Sequence, residues 1–365
     1  MGTHALGAGI GGCSRIRQPE ARIACYGRHA FTQAQAGRLA SVARQFDART
    51  AAGTFRGECH KAMHLAGRKY ARKHPGRHQA AFREATGVCS SGFAHGIVEQ
   101  TTLSGGASAF ADMAGGWCLS SERPASRTGC YHALGHVASK RKGSSGPTLC
   151  EQLGDLLGRD HCLQGVYMNR ISSANKPGSG QLCKNVQDRW EFHCWSYAWQ
   201  ASVKGAGQPG DLGRAMRWCS RHASGGLRLA GCVSRAPIAT VQGLGSLTAC
   251  DSLPSAATRA MCSASGAFQA TGGMAIDSVA RRCSRLKDDD VRFGCAVGFG
   301  QRVAWQQTYG WATTHAVSAC ARLVAKFERA ACAQGALGCW PTRPPSGPPC
   351  PKAVVPSKYR LPAGD

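Results

Sequence analysis

Twenty cysteines in a chain of 365 residues constrain the fold more than any other feature, because most of them keep a nearly constant spacing. The pairs Cys118/Cys130, Cys150/Cys162, Cys183/Cys194, Cys219/Cys232, Cys250/Cys262, Cys283/Cys295 and Cys320/Cys332 are separated by 12, 12, 11, 13, 12, 12 and 12 positions. Their first members recur at steps of 32, 33, 36, 31, 33 and 37, a period that belongs to two-helix repeats stacked as a solenoid. Apolar-periodic stretches such as TLCEQLGDLLG and CLQGVYMNRIS suit helices of about three turns each. Between them, KGSSGPT, ANKPGSG and KGAGQPGD supply loop chemistry. The expected fold is all-α: an α-solenoid of disulfide-stapled two-helix repeats, with a cysteine late in one helix facing another early in the next.

Three further pairs complete the even count: Cys13/Cys25 at the same spacing of 12, Cys59/Cys89, and Cys339/Cys350. Thiolate metal clusters draw on C-x-x-C or similarly close pairs, and the sequence has none. Disulfides are the better assignment, and each regularly spaced pair closes a loop of about 13 residues, contributing ~3 kcal/mol by chain entropy. That usage implies an oxidising, extracytoplasmic compartment, periplasmic or secreted. The opening MGTHALGAGIGGC lacks the basic region of a signal peptide, although IGGC resembles a lipoprotein cleavage site at Cys13. No run approaches the ~18 apolar residues that span a bilayer.

From Trp117 to Cys332 the period and the staple resemble cysteine-rich Sel1-like and tetratricopeptide-type repeats of secreted bacterial proteins. That resemblance implies helical hairpins that bind partners more often than they catalyse. The chain divides into a poorly defined N-terminal segment (1–50), histidine-bearing helical repeats (51–140), a cysteine-stapled array (141–338) and a proline-rich tail (339–365).

The repeats are not equivalent. In CHKAMH and CYHALGH, His60/His64 and His132/His136 are each four apart, so on a helix both rings leave one face about a turn apart. His95 and Glu99 repeat that spacing in GFAHGIVEQ. Stacking places equivalent helices side by side, which predicts one metal site lined by His60, His64, His95, His132 and His136, with Glu99 as ligand or catalytic base. Imidazole and carboxylate suit a divalent transition metal such as Zn, Cu, Ni or Fe, and the six groups are enough for two ions. The alternatives are polar packing between helices and protonation sensing. Gly67, Gly92, Gly96 and Gly135 lie close to the histidines and suit close backbone approach or a kink. His29, His222 and His315 are assigned no role.

Several chemistries are disfavoured. A helical zinc protease needs H-E-x-x-H, but Lys61 and Ala133 stand where that glutamate belongs. C-x-x-C-H, the P-loop signature and G-x-S-x-G are all missing, while Glu58 and Glu122 remain as alternative bases. Lys and Arg total 45 against 20 Asp and Glu, a formal charge of +25. The densest basic run, RKYARKHPGRH (Arg68–His78), suits either a solvated helix face or an anionic polymer or partner protein held through counterion release. No nucleic-acid signature accompanies it. RWEFHCWSYAW is expected to pack as aromatic core, with a ligand-contacting patch as the alternative.

Overall fold

The computed structural model describes residues 10–42, 45–46, 56–84, 88–120, 124–141, 145–174, 183–202, 212–223, 226–241, 243–270, 276–308, 319–336 and 357–359. Among these every regular element is helical. The helices that stack on one another among the described residues are α1 (Pro19–Gln35), α2 (Arg56–Lys73), α3 (Val88–Asp112), α4 (Pro124–Ala138), α5 (Leu156–Ala174), α6 (Asp188–Ser202), α7 (Gly226–Thr240), α8 (Ala256–Ala270), α9 (Asp289–Thr308) and α10 (Lys326–Ala336). Two compact units divide at α5, Met1–Gly165 and Val166–Asp365. Within the first, α1 packs on α2, α2 on α3 and α3 on α4; within the second, α6 to α10 likewise pack each on the next. Each unit is thus an α-solenoid of disulfide-stapled two-helix repeats.

The staple explains why such short helices hold. In α1 and α4 to α10 the second cysteine is the seventh residue of the helix, from Cys25 through Cys130, Cys162, Cys194, Cys232, Cys262 and Cys295 to Cys332, and all eight are buried. Their partners end or nearly end shorter elements: an α-helix at Cys150 and Cys283, a 3₁₀ helix at Cys250, and a π-helix, Met113–Cys118, at Cys118. The first element of a repeat therefore need not be α-helical, because the covalent bond holds what three or fewer turns cannot. Nine pairs are bonded as expected, Cys59–Cys89 and Cys13–Cys25 included. The bond to Cys25 leaves no thiol at Cys13 for a lipid, which removes the lipoprotein reading. Cys339 and Cys350 lie outside the described residues.

A second device was missed in the sequence. Arg22, Arg127, Arg159, Arg259, Arg292 and Arg329 are each the fourth residue of their helix, three before the stapling cysteine. Four of them reach back across the hairpin to the carbonyl three residues after the first cysteine: Arg22 to Ile16 (2.8 Å), Arg159 to Leu153, Arg259 to Leu253 (3.0 Å) and Arg329 to Leu323 (3.0 Å). Several also pair with a carboxylate of the following repeat, as Arg22 does with Glu58, Arg127 with Asp155 and Arg259 with Asp290. Part of the basic excess is thus committed to holding turns and joining repeats.

Glycine sets the spacing between long helices. A Cβ at Gly92 would lie 2.6 Å from the His60 carbonyl oxygen, and one at Gly96 would lie 2.2 Å from that of His64. Gly294 and Gly298 meet the carbonyls of Ala260 and Ala264 in the same way, at 2.1 Å each. In both pairs of helices the contacts advance together along the sequence, so neighbouring long helices run parallel with backbones touching. The aromatic stretch in α6 is core: Trp190, Phe192, Trp195, Tyr197 and Trp199 are all buried.

Candidate metal centre

The first unit brings the candidate residues together on three consecutive helices. His60 and His64 come from α2, His95 and Glu99 from α3, His132 and His136 from α4. Because α2, α3 and α4 are parallel and each pair is spaced i, i+4, the six side chains form two layers about one helical turn, or roughly 6 Å, apart. One layer holds His60, His95 and His132, with ring centroids 5.1 Å apart for His60/His95 and 5.5 Å for His95/His132. The other holds His64, Glu99 and His136. Between layers, His60 stands 5.8 Å from His64 and His132 stands 4.9 Å from His136.

Glu99 is the centre of the second layer. Its carboxylate is 2% exposed, and its Oε1 accepts from His64 Nε2 at 3.1 Å and from His136 Nδ1 at 2.7 Å. Its Oε2 is taken by the guanidinium of Arg68. Burial opposes ionisation, but the hydrogen bonds from His136 and His64, with the charge of those rings, outweigh it and hold the carboxyl well below the usual range. Among the described residues, His64, Glu99 and His136 are the group whose donor atoms all fall within 4.8 Å of one another, close enough to share an ion.

In the first layer His60 Nδ1 donates to the Cys89 carbonyl at 2.9 Å, which leaves Nε2 as the ring's donor atom toward a ligand. Burial drives the His60 pKa down to about 4, so the ring is neutral at physiological pH. His95 is likewise driven well below its ordinary value by complete burial and by the neighbouring histidines. Both of its ring nitrogens lack a hydrogen-bond partner, as does Nε2 of His136. Three unpartnered buried nitrogens in one place are unusual, since nearly all buried polar groups find partners. Gly129 leaves the room for His95, because a Cβ there would stand 3.2 Å from its Nε2.

No family model, no curated protein and no solved structure matches this chain. What the protein does must therefore be argued from its own side chains. These are a helical, disulfide-rich frame and a His/Glu triad able to hold a metal.

Arg68 was not singled out as a site residue, although it follows His64 by four and so continues the face of His60 and His64; it counted only as part of the basic run. Other members of that run also have internal partners: Lys69 lies over the Phe31 ring, and His78 Nε2 donates to the Ala71 carbonyl at 2.8 Å. Glu58, an alternative base, is paired with Arg22, and Glu122 lies outside the described residues, as does His315. His222 stacks on Trp218. No helix among the described residues is long and apolar enough to cross a membrane.

Proposed function

We propose that the protein binds a divalent transition-metal ion in its first unit, with His64, Glu99 and His136 as ligands, and does so in an oxidising compartment outside the cytoplasm. The observation that carries this is the convergence of two imidazole nitrogens and one carboxylate oxygen within 4.8 Å, at a carboxylate that is 2% exposed. Nine disulfides support the compartment, since reducing surroundings would not sustain them.

Two imidazoles with one carboxylate are the donor set of catalytic zinc and non-haem iron centres, which keep positions open for water or substrate. Here Glu99 is assigned as the carboxylate ligand through Oε1, the atom on which His64 and His136 converge. Arg68 holds the second oxygen and orients the carboxylate, as outer partners of metal ligands do. An ion would take the lone pairs of His64 Nε2 and His136 Nδ1, each neutral ring carrying its proton on the other nitrogen, so protonation of the rings on acidification would compete with binding and weaken it.

Elemental analysis of untagged, disulfide-intact protein tests the assignment. Stoichiometric metal in the wild type that is lost in a His64→Ala/His136→Ala variant of unchanged far-ultraviolet circular dichroism is the expected result. Wild-type protein that stays metal-free after incubation with zinc, copper, cobalt and iron, each in turn, would refute it.

A further inference from the structure

The first layer of the cluster is left over once His64, Glu99 and His136 are assigned. It has three imidazoles, contributed one each by α2, α3 and α4, and it repeats the arrangement of the second layer one turn earlier on the same helices. From this we infer that the centre is binuclear, with a second divalent transition-metal ion held by His60, His95 and His132.

Two independent observations point to a ligand there. His95 is 5% exposed and both of its nitrogens are unpartnered, in the middle of the layer. An apolar side chain would fill that space without the desolvation cost that an unpaired imidazole carries. In addition, His60 already has the outer hydrogen bond typical of a metal ligand, Nδ1–H to the Cys89 backbone carbonyl, which fixes the ring and turns Nε2 inward as the donor.

The ring spacing agrees. A metal–imidazole bond of about 2.0–2.1 Å puts the centroids of rings sharing one ion roughly 5–6 Å apart. His60/His95 at 5.1 Å and His95/His132 at 5.5 Å fall within that range. The donor atoms of this layer are not yet gathered within 4.8 Å of one another as those of the other layer are, so the ion must draw His95 and His132 toward His60, whose ring is already fixed on the Cys89 carbonyl. An all-imidazole layer beside a layer with a carboxylate gives the two ions different donors, N₃ and N₂O. Beside this layer the His136 ring, 4.9 Å from that of His132, carries the other unpartnered nitrogen, Nε2. The class of ligand is thus a borderline-soft cation that favours imidazole, Zn or Cu(II), and not Ca or Mg, which require oxygen.

This inference rests on the first ion being bound as proposed above, so the experiment separates the two. Zinc content is measured after gel filtration on wild type, on His60→Ala/His132→Ala and on His64→Ala/His136→Ala, with circular dichroism to verify folding. Two ions in the wild type and one in each variant is the expected pattern. One ion in the wild type, kept when His60 and His132 are replaced and lost when His64 and His136 are, would overturn the second site and leave the first. One ion lost in both variants would mean a single ion shared between the layers, and would likewise overturn the inference.

Electron paramagnetic resonance of unmutated protein gives a second readout that needs no variant to fold. With Cu(II), the first equivalent should give an isolated spectrum. The second should broaden it by dipolar coupling and add a half-field transition, because the ions are about one helical turn apart. A second equivalent that adds only uncoupled signal would refute a binuclear centre.

Discussion

Replacing Gly67 by alanine is the sharpest test of how the helices position the metal centre, because propensity and packing predict opposite signs. In the interior of an exposed helix the change would stabilise by up to ~1 kcal/mol. At Gly67 the new Cβ would lie 2.1 Å from the Phe93 carbonyl oxygen and 3.2 Å from the Cα of Gly96. Ordinary contact starts at 3.4 Å, so α2 and α3 must part by 3.4 − 2.1 = 1.3 Å at that point. Both obstacles are backbone, and no side chain can swing aside. Overpacking of this kind costs ~1–3 kcal/mol, and a backbone obstacle belongs at the upper end. The net expectation is about 2 kcal/mol of destabilisation. For a unit of 165 residues that lowers Tm by roughly 4–8 °C.

The same displacement acts on the site, since Gly67 is three residues from His64 on α2. The His64–Glu99 contact is 3.1 Å, and opening it by about 1 Å takes it beyond hydrogen-bond range. Zinc affinity should therefore fall about 10-fold or more. Calorimetry on metal-free protein and competition against a chromophoric chelator measure the two effects. Gly116→Ala, whose Cβ meets nothing within 4 Å, is the control. A Gly67→Ala protein with the Tm and zinc affinity of wild type would refute the close helix approach and the dependence of the site on it.

Other perturbations follow from the same contacts. Glu99→Gln keeps the shape but removes the charge that His64, His136 and Arg68 face, so zinc affinity should drop at least 10-fold by chelator competition; an unchanged affinity would exclude Glu99 as a ligand. Cys150→Ser/Cys162→Ser opens a loop with a sequence separation of 12 and should cost about 3 kcal/mol in chemical denaturation, and a loss near zero would count against the staple. Arg259→Ala removes a donor to the Leu253 carbonyl and a partner of Asp290, with an expected loss of about 2 kcal/mol that Arg259→Lys should not restore, since one ammonium does not reproduce the fork. Burial raises the Asp290 carboxyl, but hydrogen bonds from Lys358 and Arg259 outweigh it and hold the pKa below its ordinary value. A lowered folded pKa stabilises fully above the unfolded value of about 3.9 and less as pH falls below it. The stability gap between wild type and Asp290→Asn should accordingly shrink in urea titrations from pH ~5 to ~3, and a gap that widens would reverse the sign.

The architecture was legible because its signals are local. A staple spanning 12 residues and a helical face repeating every four are written within one hairpin, and Cys150–Cys162 or His132/His136 can be read without knowing what lies next to them. The arginines were legible in principle, as a residue three before each second cysteine, but a lone arginine in so basic a chain carries no mark of what it contacts. Arg68 was similarly hidden within the run RKYARKHPGRH, although its spacing from His64 placed it on the face of the histidines.

The sequence by itself determined the regular cysteine staples, which residues share a helix face, and that six potential donors sit on three such faces. Tertiary structure decided how those faces meet. The lateral register of α2, α3 and α4 pairs His60 with His95 and His132, and His64 with Glu99 and His136. That register is set by Gly92 and Gly96 against the carbonyls of His60 and His64, residues about 32 apart in the chain. Helical periodicity fixes the direction of a side chain within its own helix, but it carries no information about how far a neighbouring helix slides along it. Only packing between backbones supplies that, and with it the separation into a layer containing a carboxylate and a layer of imidazole alone.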